Sequence, residues 1–252
     1  MMRSVAIPTS GAHMWETTMP DSHLVIERLR AWYGESIALQ GISLQVNRGE
    51  TVAILGRNGA GKTTTLRAVA GIMRRTEGSI RIGSQEILNL PCHRVAYTGL
   101  GYVPEERGIF ASLSVRENLM LPPVVLPGGI GVDDLLELFP NLRARFDSPG
   151  SRLSGGEQQM LAIARVLRTG ANLLLLDEPT EGLAPVIIKR IAEVIQDLKR
   201  RGLTCVLVEQ NFEFARTVAD RFYVMEEGRL IDGFDRSELE ARSASLRTTL
   251  GL

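Results

Sequence analysis

The hydrophobic positions change period several times along the chain, and each change predicts an element. From Gly41, the residues Ile42, Leu44 and Val46 alternate with Ser43, Gln45 and Asn47, which is the two-residue period of a strand with one face in water. Asn47, Arg48 and Gly49 then turn the chain into TVAIL, a run without polar alternation that predicts a buried strand. With GRNGAGKTTTLRAVAG the pattern becomes helical, and SIRIG from Ser79 alternates again. Farther on, LLLLD from Leu173 and LTCVLVE from Leu203 both read as buried strands. Between them Ile187, Ile191, Val194, Ile195 and Leu198 fall on one face of a helix that Gly202 stops. Strand, helix and strand in this order make a right-handed parallel crossover, so the core is predicted to be an α/β sheet with helices on both faces. RFYVMEEGRLIDGF predicts a closing hairpin turned at Glu227 and Gly228.

From about residue 101 the chain changes character. Pro-Pro and Gly-Gly breakers precede the helix-like VDDLLELFPNLRAR at 132–145, and SGGEQQMLAIARVLRTG follows as a helix ended by Gly170. This predicts a helical lobe over about 101–160, set into a domain spanning 23–252. Residues 1–22 show neither period and are expected to form a mobile leader.

Composition narrows the function. A 252-residue chain with 44% hydrophobic residues can bury the core of one large domain. Its 29 basic and 29 acidic residues cancel, so no general attraction to nucleic acid or anionic lipid is implied. No targeting segment is evident in MMRSVAIPTSGAHMW, which points to the cytosol, and LMLPPVVLPGGIGV is too short and broken to span a bilayer. Any membrane role is therefore expected to be peripheral. Cys92 and Cys205 match no metal-ligand spacing and are read as structural thiols.

Chemistry enters at Gly56, Gly61, Lys62 and Thr63, which fit the phosphate-loop pattern G-x-x-x-x-G-K-S/T between a predicted strand and a predicted helix. The backbone amides of Gly56, Arg57, Asn58, Gly59, Ala60, Gly61, Lys62 and Thr63, with Thr64 just beyond, are expected to cradle a triphosphate. A side chain at Gly59 or Gly61 would obstruct that approach. Lys62 is expected to reach the outer phosphates and the Thr63 hydroxyl to hold magnesium. Asp177, at the end of the second apolar strand, is expected to hold magnesium directly or through water, and Glu178 to act as base toward the attacking water. The plain alternative is two solvated acids capping a strand.

LSGGEQQMLAIARVL, ahead of LLLLDEP, resembles the signature of ATP-binding cassette ATPases, and the resemblance covers about residues 24–235. It implies a phosphate-loop NTPase (RecA-like) core with an antiparallel β lobe and an inserted helical lobe, using ATP and Mg2+. It also implies a head-to-tail dimer in which Ser154, Gly155 and Gly156 close over the γ-phosphate on the partner's loop. Tyr33 matches the aromatic that stacks on adenine, its alternative being a core or turn tyrosine. Glu105 stands where most members have a metal-sensing glutamine that contacts the transmembrane partner, its alternative being an exposed acid. Gln210 stands where most members have a γ-phosphate-contacting histidine. His13, His23 and His93 all precede the signature, so none replaces it. Glutamine donates a hydrogen bond but carries no proton, which places hydrolysis at this chain's own loop in question.

VPEERGIF, LSGGEQQMLAI, EGLAP and LVEQN, with Ala184 where an Asp is usual, resemble one of the two ATPase subunits of branched-chain amino acid importers. That resemblance implies a second, unlike ATPase subunit (or a homodimer in isolation), two membrane permeases and, indirectly, an external binding protein, with no nucleic acid. It implies a peripheral location on the cytoplasmic face of the bacterial inner membrane. Importers of urea, short amides or other amino acids remain alternatives, as does a regulatory nucleotide-binding module that hydrolyses poorly.

Overall fold

The computed structural model describes residues 21–251. Along the chain, β1 (Ser22–Tyr33) and β2 (Ser36–Asn47) form a long hairpin, β3 (Thr51–Leu55) leads into the glycine-rich loop, and α1 (Lys62–Val69) leaves it. β4 (Arg75–Ile82) returns to pair with β1 of the hairpin, and the two-residue β5 (Gln85–Glu86) pairs with β4. α2 (Cys92–Ala96) precedes β6 (Leu100–Val103), after which α3 (Val115–Met120), α4 (Val132–Leu138), α5 (Pro140–Arg143) and α6 (Gly155–Leu167) make the helical segment. β7 (Leu173–Asp177), α7 (Pro185–Arg200), β8 (Thr204–Glu209), α8 (Phe212–Val218), β9 (Arg221–Glu226), β10 (Arg229–Asp235) and α9 (Leu239–Leu250) complete the fold.

Two sheets result. The smaller is antiparallel, in the order β2-β1-β4-β5; the larger runs β10-β9-β3-β8-β7-β6, parallel except for the β10 edge. Alternate residues of the central strands enter opposite cores. Leu174, Leu176, Ala53, Leu55 and Leu207 pack with α6 to α9. Leu173, Leu175, Val52, Ile54, Val206 and Val208 pack with α1 and the smaller sheet. A strand covered on both sides has no position for a polar residue, which is why four leucines stand in a row. The register pairs Leu55 with Glu209 and Asp177 with Val208. The chain therefore leaves β3, β7 and β8 at one common edge.

Several sequence expectations change in detail. Residues 101–103 belong to β6, so the helical segment begins beyond them rather than at 101. The predicted helix over 132–145 is two helices, because Pro140 offers no amide hydrogen and holds Phe139 at φ −125°, ψ 73°. Asp21 O accepts from Arg48 N at 3.1 Å and Ser22 already lies in β1, and residues 1–20 of the expected leader, with His13, lie outside the described residues. Cys205 is buried, which pushes its thiol up to about 12, whereas Cys92 is exposed at the start of α2. His93 is an exposed residue of that same helix.

His23 joins the two sheets. The residue is 3% exposed, its Nδ1 shares a 2.6 Å hydrogen bond with Thr204 Oγ1, and Gly49 N donates to that hydroxyl at 3.0 Å. Burial, reinforced by the Arg48 charge, lowers the imidazole from 6.5 to about 4. The unfolded ring therefore takes a proton before the folded one does. Stability that is fully present above pH 6.5 is lost as pH falls toward 4, by about 3 kcal/mol in total. Urea unfolding at about pH 7 and about pH 5 is expected to show a smaller acid loss in His23→Gln than in the unsubstituted protein, and an equal loss would contradict this assignment.

Candidate active site

The glycine-rich loop crosses from β3 to α1 under tight steric control. Gly59 and Gly61 have φ of 80° and 108°, conformations that L side chains rarely adopt. A Cβ at Gly59 would point into open space, as expected if an anion approaches there. At the other two positions the obstacle is the protein itself. A Cβ on Gly61 would lie 3.1 Å from Leu39 Cδ2 and 3.3 Å from Ala38 O, and one on Gly56 would lie 2.5 Å from Met225 O. The tip of the β9–β10 hairpin supports the loop directly, since Gly228 N donates to Ala60 O at 2.8 Å while Gln40 N donates to Gly228 O at 2.8 Å. Glu227 and Gly228 both have positive φ, 46° and 74°, the requirement of a two-residue turn of this hand.

Lys62 is 4% exposed, and its Nζ donates to Gly56 O at 2.7 Å and Arg57 O at 3.1 Å. The same ammonium meets Glu178 Oε1 at 3.0 Å. Thr63 Oγ1 donates to Asp177 Oδ1 and Tyr102 OH to Asp177 Oδ2, each at 2.8 Å. Asp177 is fully buried; burial pushes its carboxyl up, and the two hydroxyls pull it back. Thr63 and Asp177 thus bring hard oxygen donors together at the N-terminus of α1. That fits magnesium, which takes one or two protein oxygens and completes its shell with phosphates and water. Among the described residues no group of three or more His, Cys, Asp or Glu is placed to hold a metal ion by itself.

A cleft of about 660 Å³ opens over this loop, lined by Tyr33, Asn58, Thr64, Glu105, Glu178 and Glu181 among others. Tyr33 is half exposed, and its hydroxyl stands 3.5 Å from Thr64 Oγ1. Glu105 is exposed on the mouth; partial burial and then the nearby charges of Glu181, Glu178 and Asp177 push its carboxyl up. Glu178 has φ 43° and donates its amide to Val208 O at 3.1 Å, so the loop leaving β7 begins in a strained conformation. Gln210 is absent from the lining of this cleft. It lines a neighbouring one of about 380 Å³ that also takes in Glu178, Thr180 and Glu209.

Ser154, Gly155 and Gly156 lie at the start of α6, apart from the lining of the loop cleft. Ser154 Oγ accepts from Glu157 N at 3.3 Å while Glu157 Oε2 accepts from Ser154 N at 2.8 Å, a reciprocal cap. The amides of Gly155 and Gly156 are in the first turn, beyond the reach of any intrahelical carbonyl. Gly156 has a second reason to be small, since a Cβ there would lie 2.8 Å from Ile187 of α7. Tyr102, Met225 and Gly228 complete the site without belonging to the phosphate-loop or signature motifs, because each reaches it only through the sheet topology, while Glu181 of EGLAP lines the same cleft.

Residues 39–181 match the ABC transporter family. The chain is 43% identical over 211 residues to the high-affinity branched-chain amino acid transport ATP-binding protein BraG of Pseudomonas aeruginosa, covering 82% of this chain and 91% of that one. It is 38% identical over 216 residues to the lipopolysaccharide export system ATP-binding protein LptB of Haemophilus influenzae, covering 83% and 89%. Among solved structures, the ADP conformation of the ATP-binding cassette MJ1267 superimposes with a TM-score of 0.78 at 25% identity, covering 93% of this chain and 98% of that one.

The fit between loop and hairpin is directly testable. Gly56→Ala places a methyl carbon against the Met225 carbonyl, and the two must part. Binding of a fluorescent ATP analogue is expected to weaken about tenfold or more with circular dichroism unchanged. Unaltered affinity would show that the cradle does not depend on this contact.

Proposed function

The chain belongs to the ABC transporter family of ATPases, and from that premise we propose that it is the ATP-hydrolysing subunit of an importer for branched-chain amino acids, acting through membrane permease subunits. The observation that carries the chemistry is the buried junction of Thr63, Asp177 and the Lys62–Glu178 pair beside the glycine loop. Support for the cargo comes from the 43% identity to BraG. The 38% identity to LptB keeps lipopolysaccharide export as a second reading, and urea, short amides or other amino acids would suit the same ATPase site.

In this reading the amides of residues 56–63 bind the phosphate chain, and Lys62 exchanges its carbonyl acceptors for the outer phosphates. Tyr33 offers its ring to the base. Magnesium, held by Thr63 and Asp177, neutralises phosphate charge when bound. Glu178 orients the attacking water and accepts its proton. Glu105 meets the metal shell and the permease, and Gln210 donates its amide hydrogen toward the γ-phosphate. The first turn of α6, with Ser154, Gly155 and Gly156, caps the γ-phosphate held by an opposing ATPase subunit, and helix-terminal amides suit that anion.

Residues 23–252 act as one ATPase domain whose helical lobe, about 101–160, transmits closure to the permeases. The opposing subunit is a second, unlike ATPase that supplies a histidine to the shared cycle, or a copy of this chain in isolation. The assembly sits on the cytoplasmic face of the inner membrane with an external binding protein beyond the permeases. No helix among the described residues is long and apolar enough to cross a membrane, so attachment would run through those partners.

Two variants test the ATPase reading. Lys62→Ala is expected to reduce ATP binding to background, and Glu178→Gln to keep binding while lowering hydrolysis about a hundredfold or more and accumulating an ATP-bound dimer on size exclusion. Unchanged hydrolysis in both would sink it. Gln210→His separates an active subunit from a regulatory one: a single-turnover rate raised about tenfold or more supports a chain that is slow by design, and an unchanged rate supports full activity at its own loop.

A further inference from the structure

Glu209 closes β8 immediately before Gln210, and no step above uses it. The residue is 2% exposed. Its Oε1 accepts from Thr180 Oγ1 at 2.7 Å and Thr180 N at 3.2 Å, while its Oε2 accepts from Asn211 N at 3.1 Å. Thr180 lies two residues beyond Glu178, and Asn211 follows Gln210 and caps α8 through Phe214 N at 3.1 Å. One carboxylate therefore ties the loop that carries the base to the loop that carries the glutamine. Burying a carboxylate is costly, and a well-packed apolar residue would serve stability as well or better. The three donors account for a carboxylate at this position only if the placement of the two loops matters.

Resting on the ATPase reading, we propose that Glu209 is a positioning residue for hydrolysis, fixing the loop of Glu178 against the loop of Gln210 through Thr180 and Asn211. The carboxylate form is the one that performs this task. A proton on either oxygen would face Thr180 or Asn211 donors and break part of the tie. Burial, with the Glu178 charge adding to it and the Thr180 and Asn211 bonds opposing it, pushes Glu209 up to about 7. The other charged groups on this cleft, Glu181 and Glu213, are acids as well, and Lys62 is engaged by Glu178. As pH rises through the neutral range Glu209 ionises and the two loops lock, so hydrolysis should rise with pH, with a midpoint near 7.

The test is kcat and KM for ATP across about pH 6 to 8.5 in the intact chain and in Glu209→Gln. The amide keeps the acceptor for Thr180 but turns a donor against Asn211 N. The expected result is kcat lower by about tenfold or more, KM for ATP changed less than about twofold, and loss of the neutral limb from the pH profile. An unaltered kcat, or a lower kcat with the limb intact, overturns the proposal. If Glu209→Gln does not fold, Thr180→Val carries the test. Removing one donor from the carboxylate should move the limb to higher pH, and an unmoved limb overturns the proposal equally. Hydrolysis surviving Lys62→Ala would instead count against the ATPase reading itself, so the two failures are distinguishable.

Discussion

The structure depends most on one buried carboxylate. Asp177 ends the central strand β7 with both oxygens engaged, one by Thr63 from the helix that leaves the glycine loop and one by Tyr102 from the neighbouring strand β6. Burial raises the free energy of its charge, so the geometry holds only while both hydroxyls remain in place. That requirement fixes the register between β7 and β6 and the height of α1 above the sheet. The Lys62–Glu178 pair, one residue away on each side, inherits its position from the same constraint.

The acids around this point set its electrostatic character. Glu105, Glu178 and Glu181 line one mouth, and partial burial together with the charges of Glu181 and Glu178 raises the carboxyl of Glu105. Lys62 faces only part of that charge. A mouth of this sign repels a bare polyanion and accepts one that arrives with a divalent cation, which suits a metal-complexed nucleotide. The formal neutrality of the whole chain conceals this local asymmetry.

Much of this was legible in the sequence, for identifiable reasons. β3, β7 and β8 announced themselves because a sheet covered on both faces leaves no polar alternation. The glycine loop was legible because its chemistry is confined to eight consecutive residues. β1 was not, since Arg28 at φ 49° breaks the two-residue period with a bulge between Glu27 and Arg30. α9 was missed because its buried face consists of only three leucines, Leu239, Leu246 and Leu250, set among small and polar residues, too sparse a stripe to read as a period. Tyr102 and Glu209 escaped for another reason: their partners lie 75 and 29 residues away, and only the strand order brings them together. The signature glycines were legible as helix-start residues, but the role of Gly156 in admitting Ile187 required the packing of α6 on α7.

The grip of Gly228 on both Ala60 and Gln40 has a mechanical consequence. A single turn residue clasps the glycine loop with one hydrogen bond and the antiparallel sheet with another, and there is no slack in between, because a Cβ at this position would overlap the Ala38 carbonyl at 2.3 Å. Cradle and sheet therefore travel as one rigid block. A hinge for the helical segment would then lie on the far side of that block, where the segment joins β6 and β7.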